Sequence, residues 1–570
     1  MSTDIENNNQ EVKENITNVP TGASVSTSTL NEKTGTTAIT TAATAVTVDT
    51  QAPDVPLTYE KTMAGLKTFC FLAVANSFTG FAFGWDVGTA GGIVNFPSFQ
   101  ARFGSLSEAT GTSTINSWVV GCIISMFNLG CAFGGMLLSK VADKIGRKKA
   151  IFIGCAIYAV GTLIQITSIV QSSWVQVLVG RIISGLSIGL FSVVTPMLIS
   201  ECSPTCVRGQ LVVFFQVFIT FGIFMGNITN FACNRYRSGE DSEWMIPIGL
   251  NFVWLAVIIA ATIFMHESPA YLLAKGEYEK SAEVTRVIHA TKDITESESV
   301  FVEELIQKRL NEHEATTNNA NDDAKIPWNE FIVGKPKLGL RLIIGMCVMM
   351  FQQLSGANYF FYYGTTLFRS VGMDNPYKTA IILGAVNFAS TFLGTWAVKK
   401  FGRKACLLTG SAVMGVSMLV YAILGSFFLV NKETGTSSRA IGGVMIAVTC
   451  IYIIGFASTW GPVAFVVVSE LFPSRVRVMS MSCSVAMNWI SNFLISLLTP
   501  TIINAIDFKY GFIFAGCLLA SFVVVFWLLK ETKDCQTDED TDNLYAGKTT
   551  VADADTESTA SDSVASSAEK

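Results

Sequence analysis

The composition of this chain excludes an ordinary soluble protein. It has 570 residues, of which 50% are hydrophobic and only 15% are charged, so most of the chain is expected to lie in lipid. The net charge of -5 is carried mostly by polar segments and does not indicate nucleic-acid binding.

In chain order, a polar segment comes first and apolar stretches then alternate with short polar loops. Residues 1–61 are rich in Thr, Asn, Ser and Glu and have no basic stretch ahead of an early apolar core. They predict a disordered cytoplasmic tail and no cleaved signal peptide. Twelve stretches are long and apolar enough to cross a bilayer, six within 62–266 and six within 338–531. The polar segment 267–337 is expected to form a cytoplasmic loop with short helices, and 532–570 a second disordered cytoplasmic tail.

The loops between these stretches give the orientation. Lys144, Arg147 and Lys148 follow the second stretch, Lys400 and Arg403 follow the eighth, and the loops on the other side carry little excess positive charge. Positively charged short loops remain in the cytoplasm. Both chain termini are therefore expected to be cytoplasmic.

The cysteines do not indicate a disulfide framework or a metal site. Most of the 13 cysteines lie inside apolar stretches, where a thiol behaves as a small apolar side chain. Cys202 and Cys206 lie on the cytoplasmic side without a nearby histidine, which makes a zinc site improbable. No metal and no cofactor are expected.

A nine-residue sequence pattern occurs twice and relates the two halves of the chain. The sequence Ser-Glu-x-x-Pro-x-x-Val-Arg occupies residues 200–208 and again 469–477, each time at the end of an apolar run. A second repeat, Gly-Arg-Lys, occupies 146–148 and 402–404. Repeated membrane halves with matching charged loops on one side are typical of carriers that rock about a central site.

Two ionisable residues lie inside the apolar stretches of the first half. Asp86 is in the first stretch and Arg181 in the fourth. Such residues cost roughly 2.5 to 3.5 kcal/mol on insertion scales, so each requires a reason. One interpretation is a static ion pair that locks two helices. The other is a pair that breaks when Asp86 takes up a proton, which would couple proton movement to a conformational step. The sequence leaves both open.

Uncharged amides in the apolar stretches suit a neutral, hydroxyl-rich substrate. A sugar hydroxyl both donates and accepts hydrogen bonds, as an amide does, and an aromatic ring can cover the apolar C–H face of the sugar. For any single amide, a hydrogen bond between helices is an equally good explanation. Gln352 and Gln353 lie close to Gly356, which can loosen the helix where amides gather. The candidate substrate-binding residues are Gln216, Gln352, Gln353, Asn358, Asn387, Phe465, Asn488 and Trp489.

Together these motifs resemble the sugar porters of the major facilitator superfamily, and specifically fungal hexose transporters. The matching segments include Gly84–Thr89, Gly180–Gly185, Gln352–Gly364 and Ser469–Pro473. None of these segments is specific for the family alone, but their combination is. The resemblance implies an all-α membrane protein with the major facilitator fold, in which 12 transmembrane helices form two pseudo-symmetric six-helix halves.

The resemblance also implies roles for individual residues. The amides given above match sugar-contacting positions, and Phe465 stands where relatives have a tryptophan or tyrosine. A cytoplasmic gate would tie the inner ends of the two halves together while the carrier faces outward. The residues that match this gate are Glu201 with Arg208, Glu470 with Arg477, and the two arginines Arg147 and Arg403.

The implied function is uptake of glucose, and of fructose, mannose or galactose, across the plasma membrane by alternating access and facilitated diffusion. The alternative is proton-coupled symport that uses Asp86 and Arg181, and a lesser alternative is a sugar sensor that binds without transport. No nucleotide-binding loop or catalytic cluster indicates an enzyme. The expected partners are the monosaccharide, the lipid bilayer, and ubiquitination or trafficking machinery on the cytoplasmic tails.

Overall fold

The computed structural model describes most of the apolar part of the chain. The predicted tail 1–61 and the first residues of the first half, 62–72, lie outside the described residues, as do 547–570 and much of the central loop. The described residues are 73–106, 113–203, 205–289, 303, 305–307, 309–311, 330–370, 375–429, 438–533 and 538–546.

The first half is built from helices, because a helix satisfies its own backbone groups in lipid. A short antiparallel pair, β1 (Ser105–Leu106) and β2 (Ser113–Thr114), lies in the loop before Ser117. The helices are α1 (Phe78–Ile93), α2 (Pro97–Phe103), α3 (Ser117–Phe133), α4 (Ser139–Ile145), α5 (Arg147–Gln171), α6 (Trp174–Cys202), α7 (Thr205–Tyr236), α8 (Ser242–Gly249) and α9 (Asn251–Phe264).

The central loop and the second half are also helical. The loop carries α10 (Pro269–Ala274), α11 (Tyr278–His289) and α12 (Glu330–Val333). The second half comprises α13 (Leu338–Leu354), α14 (Ala357–Ser370), α15 (Pro376–Phe401), α16 (Arg403–Ile423), α17 (Arg439–Ser458), α18 (Trp460–Leu471), α19 (Ser474–Ile506) and α20 (Tyr510–Leu528).

Ten segments of the described residues are long and apolar enough to cross a membrane. The last, Met479–Leu528, contains both α19 and α20, which the turn Asp507–Lys509 divides. Helix α1 has 16 residues, fewer than the roughly 20 of a usual span, and helical residues 73–76 precede it. The arrangement is consistent with the 12 predicted helices.

Glycines bring the helices of the first half into close contact. A Cβ atom on Gly84 of α1 would overlap the backbone of Ile219 in α7, and one on Gly222 of α7 would overlap the carbonyl of Phe81. Helices in lipid associate through such close packing, because burial from water no longer drives them together. The pair α1 and α7 is therefore held by backbone-to-backbone contact.

The two halves meet along α3 with α19 and along α7 with α15. We call the end of the molecule that carries Arg147 and Arg403 the inner end, and the opposite end the outer end. The inner ends of α5 and α16 each follow a glycine with positive φ, Gly146 at 101° and Gly402 at 85°. The repeat seen in the sequence is thus a repeat of backbone structure.

The halves are closed against each other at the outer end. Asn504 of α19 donates Nδ2 to Oγ of Ser117 at 2.5 Å. Asn95, just after α1, donates Nδ2 to Oγ1 of Thr366 in α14 at 3.0 Å. These contacts join the first half to the second and seal the outer side in this conformation.

Part of the predicted C-terminal tail is helical and packed. Helix α21 (Asp538–Ala546) lies within 532–570 and differs from the disorder expected there. Arg341 of α13 is fully buried, and its Nη1 lies 2.5 Å from Oδ1 of Asp542. Its guanidinium also lies over the ring of Tyr545. The polar tail supplies the carboxylate and the ring that a buried arginine requires.

Candidate functional site

The central amides lie where a membrane helix is interrupted. Helix α13 ends at Leu354 and α14 begins at Ala357, with Gly356 between them at φ 94°. Glycine adopts this conformation at little cost. A Cβ atom there would also lie 2.8 Å from the ring of Phe514. The break leaves Gln353 before the bend and Asn358 after it.

Hydrogen bonds connect four of the predicted amides into one chain. Gln353 Nε2 donates to Asn488 Oδ1 at 3.0 Å, and Asn358 Nδ2 donates to Gln353 Oε1 at 2.6 Å. Asn488 Nδ2 donates to Gln352 Oε1 at 2.6 Å. Gln352 Nε2 donates to the carbonyl of Trp460 at 3.0 Å. All the groups are neutral, so a sugar hydroxyl can replace any partner without leaving a buried charge uncompensated.

The amide chain continues across to the first half through two residues that the sequence analysis missed. Asn358 Nδ2 donates to Asn492 Oδ1 at 2.9 Å, and Asn128 Nδ2 of α3 donates to the same oxygen at 3.1 Å. Tyr362 donates to Asn128 Oδ1 at 3.4 Å. Asn492 lies one helical turn after Asn488, and that spacing was the available signal. Asn128 is a lone amide in an apolar stretch, which is a weaker sequence signal.

Gln216 and Asn387 lie on two facing helices and not in this chain. Thr391 of α15 donates Oγ1 to Oγ1 of Thr220 in α7 at 3.3 Å, which joins the two halves. Thr220 is one turn from Gln216, and Thr391 is one turn from Asn387. Within the described part of the chain, neither the Gln216 nor the Asn387 amide has a hydrogen-bond partner. Gln216 is partly exposed, whereas Asn387 is buried.

The two predicted aromatic residues have different surroundings. Trp489 is only 7% exposed, and its ring centre lies 5.8 Å from that of Phe83 in α1, across the boundary between the halves. Phe465 of α18 is 44% exposed. The structure therefore places Trp489 in a contact between halves and leaves the Phe465 ring accessible.

Asp86 and Arg181 are brought together within the first half. Both are nearly fully buried, and Arg181 Nη1 lies 3.9 Å from Asp86 Oδ1. Tyr158 of α5 donates its hydroxyl to Asp86 Oδ2. The Arg181 guanidinium also lies 5.0 Å from the ring centre of Phe127. The carboxylate thus has a phenol and a guanidinium as partners on three helices of one half.

A small cavity adjoins this pair. Its volume is about 20 Å³, and its lining includes Asp86, Arg181, Gln165 and Asn251, which is room for about one water molecule. Among the described residues, Nε and Nη2 of Arg181 and Oδ1 of Asn251 have no hydrogen-bond partner. The lining is a mixture of polar and apolar side chains, and the unpaired groups of Arg181 and Asn251 can bind a water there.

The gate residues form ion pairs inside each half. Arg147 donates Nε and Nη2 to the two oxygens of Glu201 at 3.1 and 3.2 Å. In the second half, Arg403 Nη2 donates to Glu470 Oε1 at 2.7 Å. Arg477 donates Nε to the carbonyl of Phe472 at 3.0 Å. The side chain of Arg208 lies outside the described part of the chain. In this outer-closed conformation the arginine of each Gly-Arg-Lys repeat holds the glutamate of its own half.

Two further glutamates at the inner end were not among the predicted gate residues. Glu267 Oε1 accepts from the backbone N–H of Arg147 at 2.9 Å, and Glu531 Oε1 accepts from that of Arg403 at 2.8 Å. A carboxylate at a helix N-terminus interacts favourably with the helix dipole and with unpaired N–H groups. Each glutamate therefore anchors the start of the helix that carries the gate arginine.

The sequence is similar to characterised membrane carriers. Residues 72–543 match the family described as "Sugar (and other) transporter". Hexose transporter HXT14 of Saccharomyces cerevisiae is 43% identical over 482 residues, which is 82% of this chain and 87% of that protein. The galactose transporter of the same yeast is 42% identical over 488 residues, 84% and 82% of the two chains. Hexose transporter 2 of Kluyveromyces lactis is 42% identical over 484 residues, which is 84% of this chain and 83% of that protein.

Solved structures agree on the fold. The inward-open xylose transporter XylE of Escherichia coli matches with a TM-score of 0.65 at 21% identity, over 84% of this chain and 99% of that one. A second structure, XylE bound to 6-bromo-6-deoxy-D-glucose, matches with a TM-score of 0.67 at 22% identity, over 84% of this chain and 100% of that one. That protein is described as a major facilitator superfamily proton:xylose symporter.

The repeated helical halves have the major facilitator fold, and the match to the transporter family makes the chain a membrane carrier. The chain belongs to the sugar transporter family, in its yeast branch. The family predicted from the motifs is confirmed.

Proposed function

We propose that this protein carries glucose and similar hexoses across the plasma membrane by alternating access, with both termini in the cytoplasm and the inner end facing it. The observation that carries the proposal is the chain of neutral amides from Gln352 to Asn358, which continues to Asn128 of the other half. The names of the yeast relatives support a hexose, and glucose, fructose, mannose and galactose are the candidates.

Binding exchanges amide partners for hydroxyls. In the structure, Gln353 and Asn358 hold one another, while the amides of Gln216 and Asn387 are unpaired among the described residues. A hexose between the halves offers hydroxyls to both sets. Each exchange replaces one neutral hydrogen bond by another, so affinity stays modest and the sugar can leave.

Uptake of labelled glucose tests the proposal in yeast cells that lack other hexose carriers. The expected result is saturable uptake that other hexoses inhibit and that a protonophore leaves unchanged. A non-transporting sensor would give surface protein without uptake, and that outcome would reject the proposal.

Substituting Phe465 by tyrosine is expected to change the ratio of galactose to glucose uptake. The ring is 44% exposed, so a sugar can stack on it, and a phenol adds a hydrogen-bonding group at its rim. The two hexoses differ in the direction of one hydroxyl, which the new group meets unequally. The measurement is the initial rate of each sugar at matched surface abundance. If both rates change in proportion, Phe465 has no part in selectivity.

Transport is proposed to be passive, with Asp86 and Arg181 as a static pair. The Asp86→Asn variant leaves Arg181 buried without its counter-ion, an arrangement that typically costs about 3 to 5 kcal/mol. Surface abundance and uptake should therefore both fall. The double variant Asp86→Asn/Arg181→Gln removes the uncompensated charge and should regain much of both.

The double variant also separates the two interpretations of the pair. If it reaches the surface at the normal level but carries no sugar, the charged pair takes part in the transport cycle and is not only a static lock between helices. Proton symport through Asp86 would replace facilitated diffusion only if the native protein also accumulated sugar against its gradient in a way that a protonophore abolishes.

A further inference from the structure

Three lysines lie together at the inner end of the second half. Lys400 is in the last turn of α15, Lys404 is in the first turn of α16, and Lys533 follows α20. Lys533 donates Nζ to the carbonyl of Lys400 at 3.2 Å. Within the described residues, none of the three forms an ion pair with a carboxylate. We call them the lysine triad.

The carboxylate of Glu531 lies between these lysines and accepts hydrogen bonds from backbone N–H groups. Glu531 accepts hydrogen bonds from the backbone N–H groups of Arg403, Lys404 and Lys533 at 2.8, 3.0 and 3.2 Å. Its charge is directed to the start of α16. The nearby Glu470 is held by Arg403. Neither Glu531 nor Glu470 therefore neutralises the ammonium groups of the triad.

Aromatic rings lie under and beside the triad. Lys400 Nζ lies 5.0 Å from the ring centre of Trp396, and Lys404 Nζ lies 5.7 Å from that of Phe526. Trp396, Phe526 and the neighbouring Trp527 are 52%, 52% and 76% exposed. Exposed tryptophans next to lysines are typical of the boundary between hydrocarbon and headgroups.

We propose that the lysine triad with Trp396, Phe526 and Trp527 binds the headgroup of an anionic phospholipid. The headgroup phosphate meets the three ammonium groups, and the acyl chains lie along the exposed rings. A lipid with net negative charge complements the surface, whereas a zwitterionic lipid brings its own cation. The inference rests on the proposed orientation only in assigning this lipid to the cytoplasmic leaflet.

The first half provides a matched comparison. Lys148 donates Nζ to the carbonyl of Ile263 at 2.8 Å, as Lys404 does to that of Phe526 at 2.9 Å. The corresponding position is thus aliphatic in the first half and aromatic in the second. The inner end of the first half also has exposed lysines close to Lys148 in sequence, namely Lys140, Lys144 and Lys149.

Thermal unfolding of the purified full-length protein in detergent tests the inference. Phosphatidylserine should raise the unfolding midpoint by several degrees more than phosphatidylcholine, because a ligand of the folded state stabilises it. The variant Lys400→Gln/Lys404→Gln/Lys533→Gln should lose at least half of that difference. The variant Lys140→Gln/Lys144→Gln/Lys149→Gln, with the same change in charge, should keep it.

Three results would overturn the inference. The first is a shift with phosphatidylserine no greater than with phosphatidylcholine. The second is an equal loss of the shift in both triple variants, and the third is equal stabilisation by glycerophosphoserine, which has no acyl chains. The second result would mean diffuse attraction, and the third a soluble phosphate ligand. The double variant Lys400→Gln/Lys533→Gln retains the bond from Lys404 to Phe526 and serves if the triple variant does not fold. None of these readouts depends on sugar transport.

Discussion

Replacing Gly91 by alanine is expected to reduce glucose uptake by at least about tenfold, a loss of roughly 1.4 kcal/mol in free-energy terms, while the protein still reaches the membrane. Gly91 lies in α1, and a Cβ atom there would overlap the backbone carbonyl of Tyr362 in α14 of the other half. In the helix itself alanine is favoured over glycine by about 1 kcal/mol. The substitution therefore penalises closure of the outer end and leaves the helix intact.

Two glycines provide controls for this experiment. A Cβ atom on Gly443 of α17 or on Gly516 of α20 would meet nothing within 4 Å, so alanine at either position should leave uptake within about twofold of the native rate. Gly84→Ala, by contrast, collides within one half and should lower surface abundance. Normal uptake by Gly91→Ala would mean that the contact between Gly91 and Tyr362 is not made during transport.

The Gln353→Ala variant is expected to lose at least about tenfold in uptake efficiency at normal surface abundance. Gln353 joins Asn488 and Asn358, and its removal deletes a group that can donate to one sugar hydroxyl and accept from another. Two neutral hydrogen bonds of about 0.5 to 1.5 kcal/mol each correspond to a loss of this size. The measurement is the concentration dependence of glucose uptake, in which the half-saturating concentration should rise.

Gln176→Ala is the matched control for Gln353→Ala. Gln176 of α6 donates Nε2 to the carbonyl of Ile164 and to Thr167 at 3.1 and 2.9 Å, near the outer end of the first half. Loss of these bonds should change uptake little. Unchanged kinetics in Gln353→Ala would remove the amide chain from the sugar site.

The architecture could be predicted from the sequence because its determinants are local. A run of about 20 apolar residues predicts a membrane helix from its length alone. The repeat of Gly-Arg-Lys at 146–148 and 402–404 predicted matching loops, which share a glycine of positive φ in the structure. Gly356 beside the amides predicted the break between α13 and α14 for the same reason, since glycine permits that conformation.

Partners that are distant in sequence could not be predicted. A motif shows that Glu201 is present, but not that Arg147 is the residue that binds it. Asn128 and Asn492 meet only because α3 packs on α19. The burial of Arg341 against Asp542 likewise depends on where the C-terminal helix folds back. In each case the tertiary contact decides the pairing, and no local pattern carries it.

Sugar flux through the purified protein in sealed vesicles is the most direct test of the central claim, that this chain is a passive hexose carrier. Vesicles loaded with unlabelled glucose are expected to exchange it for labelled glucose, and an inward proton gradient should neither concentrate glucose nor be dissipated by its entry. Uphill accumulation that a protonophore abolishes would contradict passive transport and make Asp86 the proton site. Absence of any exchange by correctly folded protein would contradict transport itself.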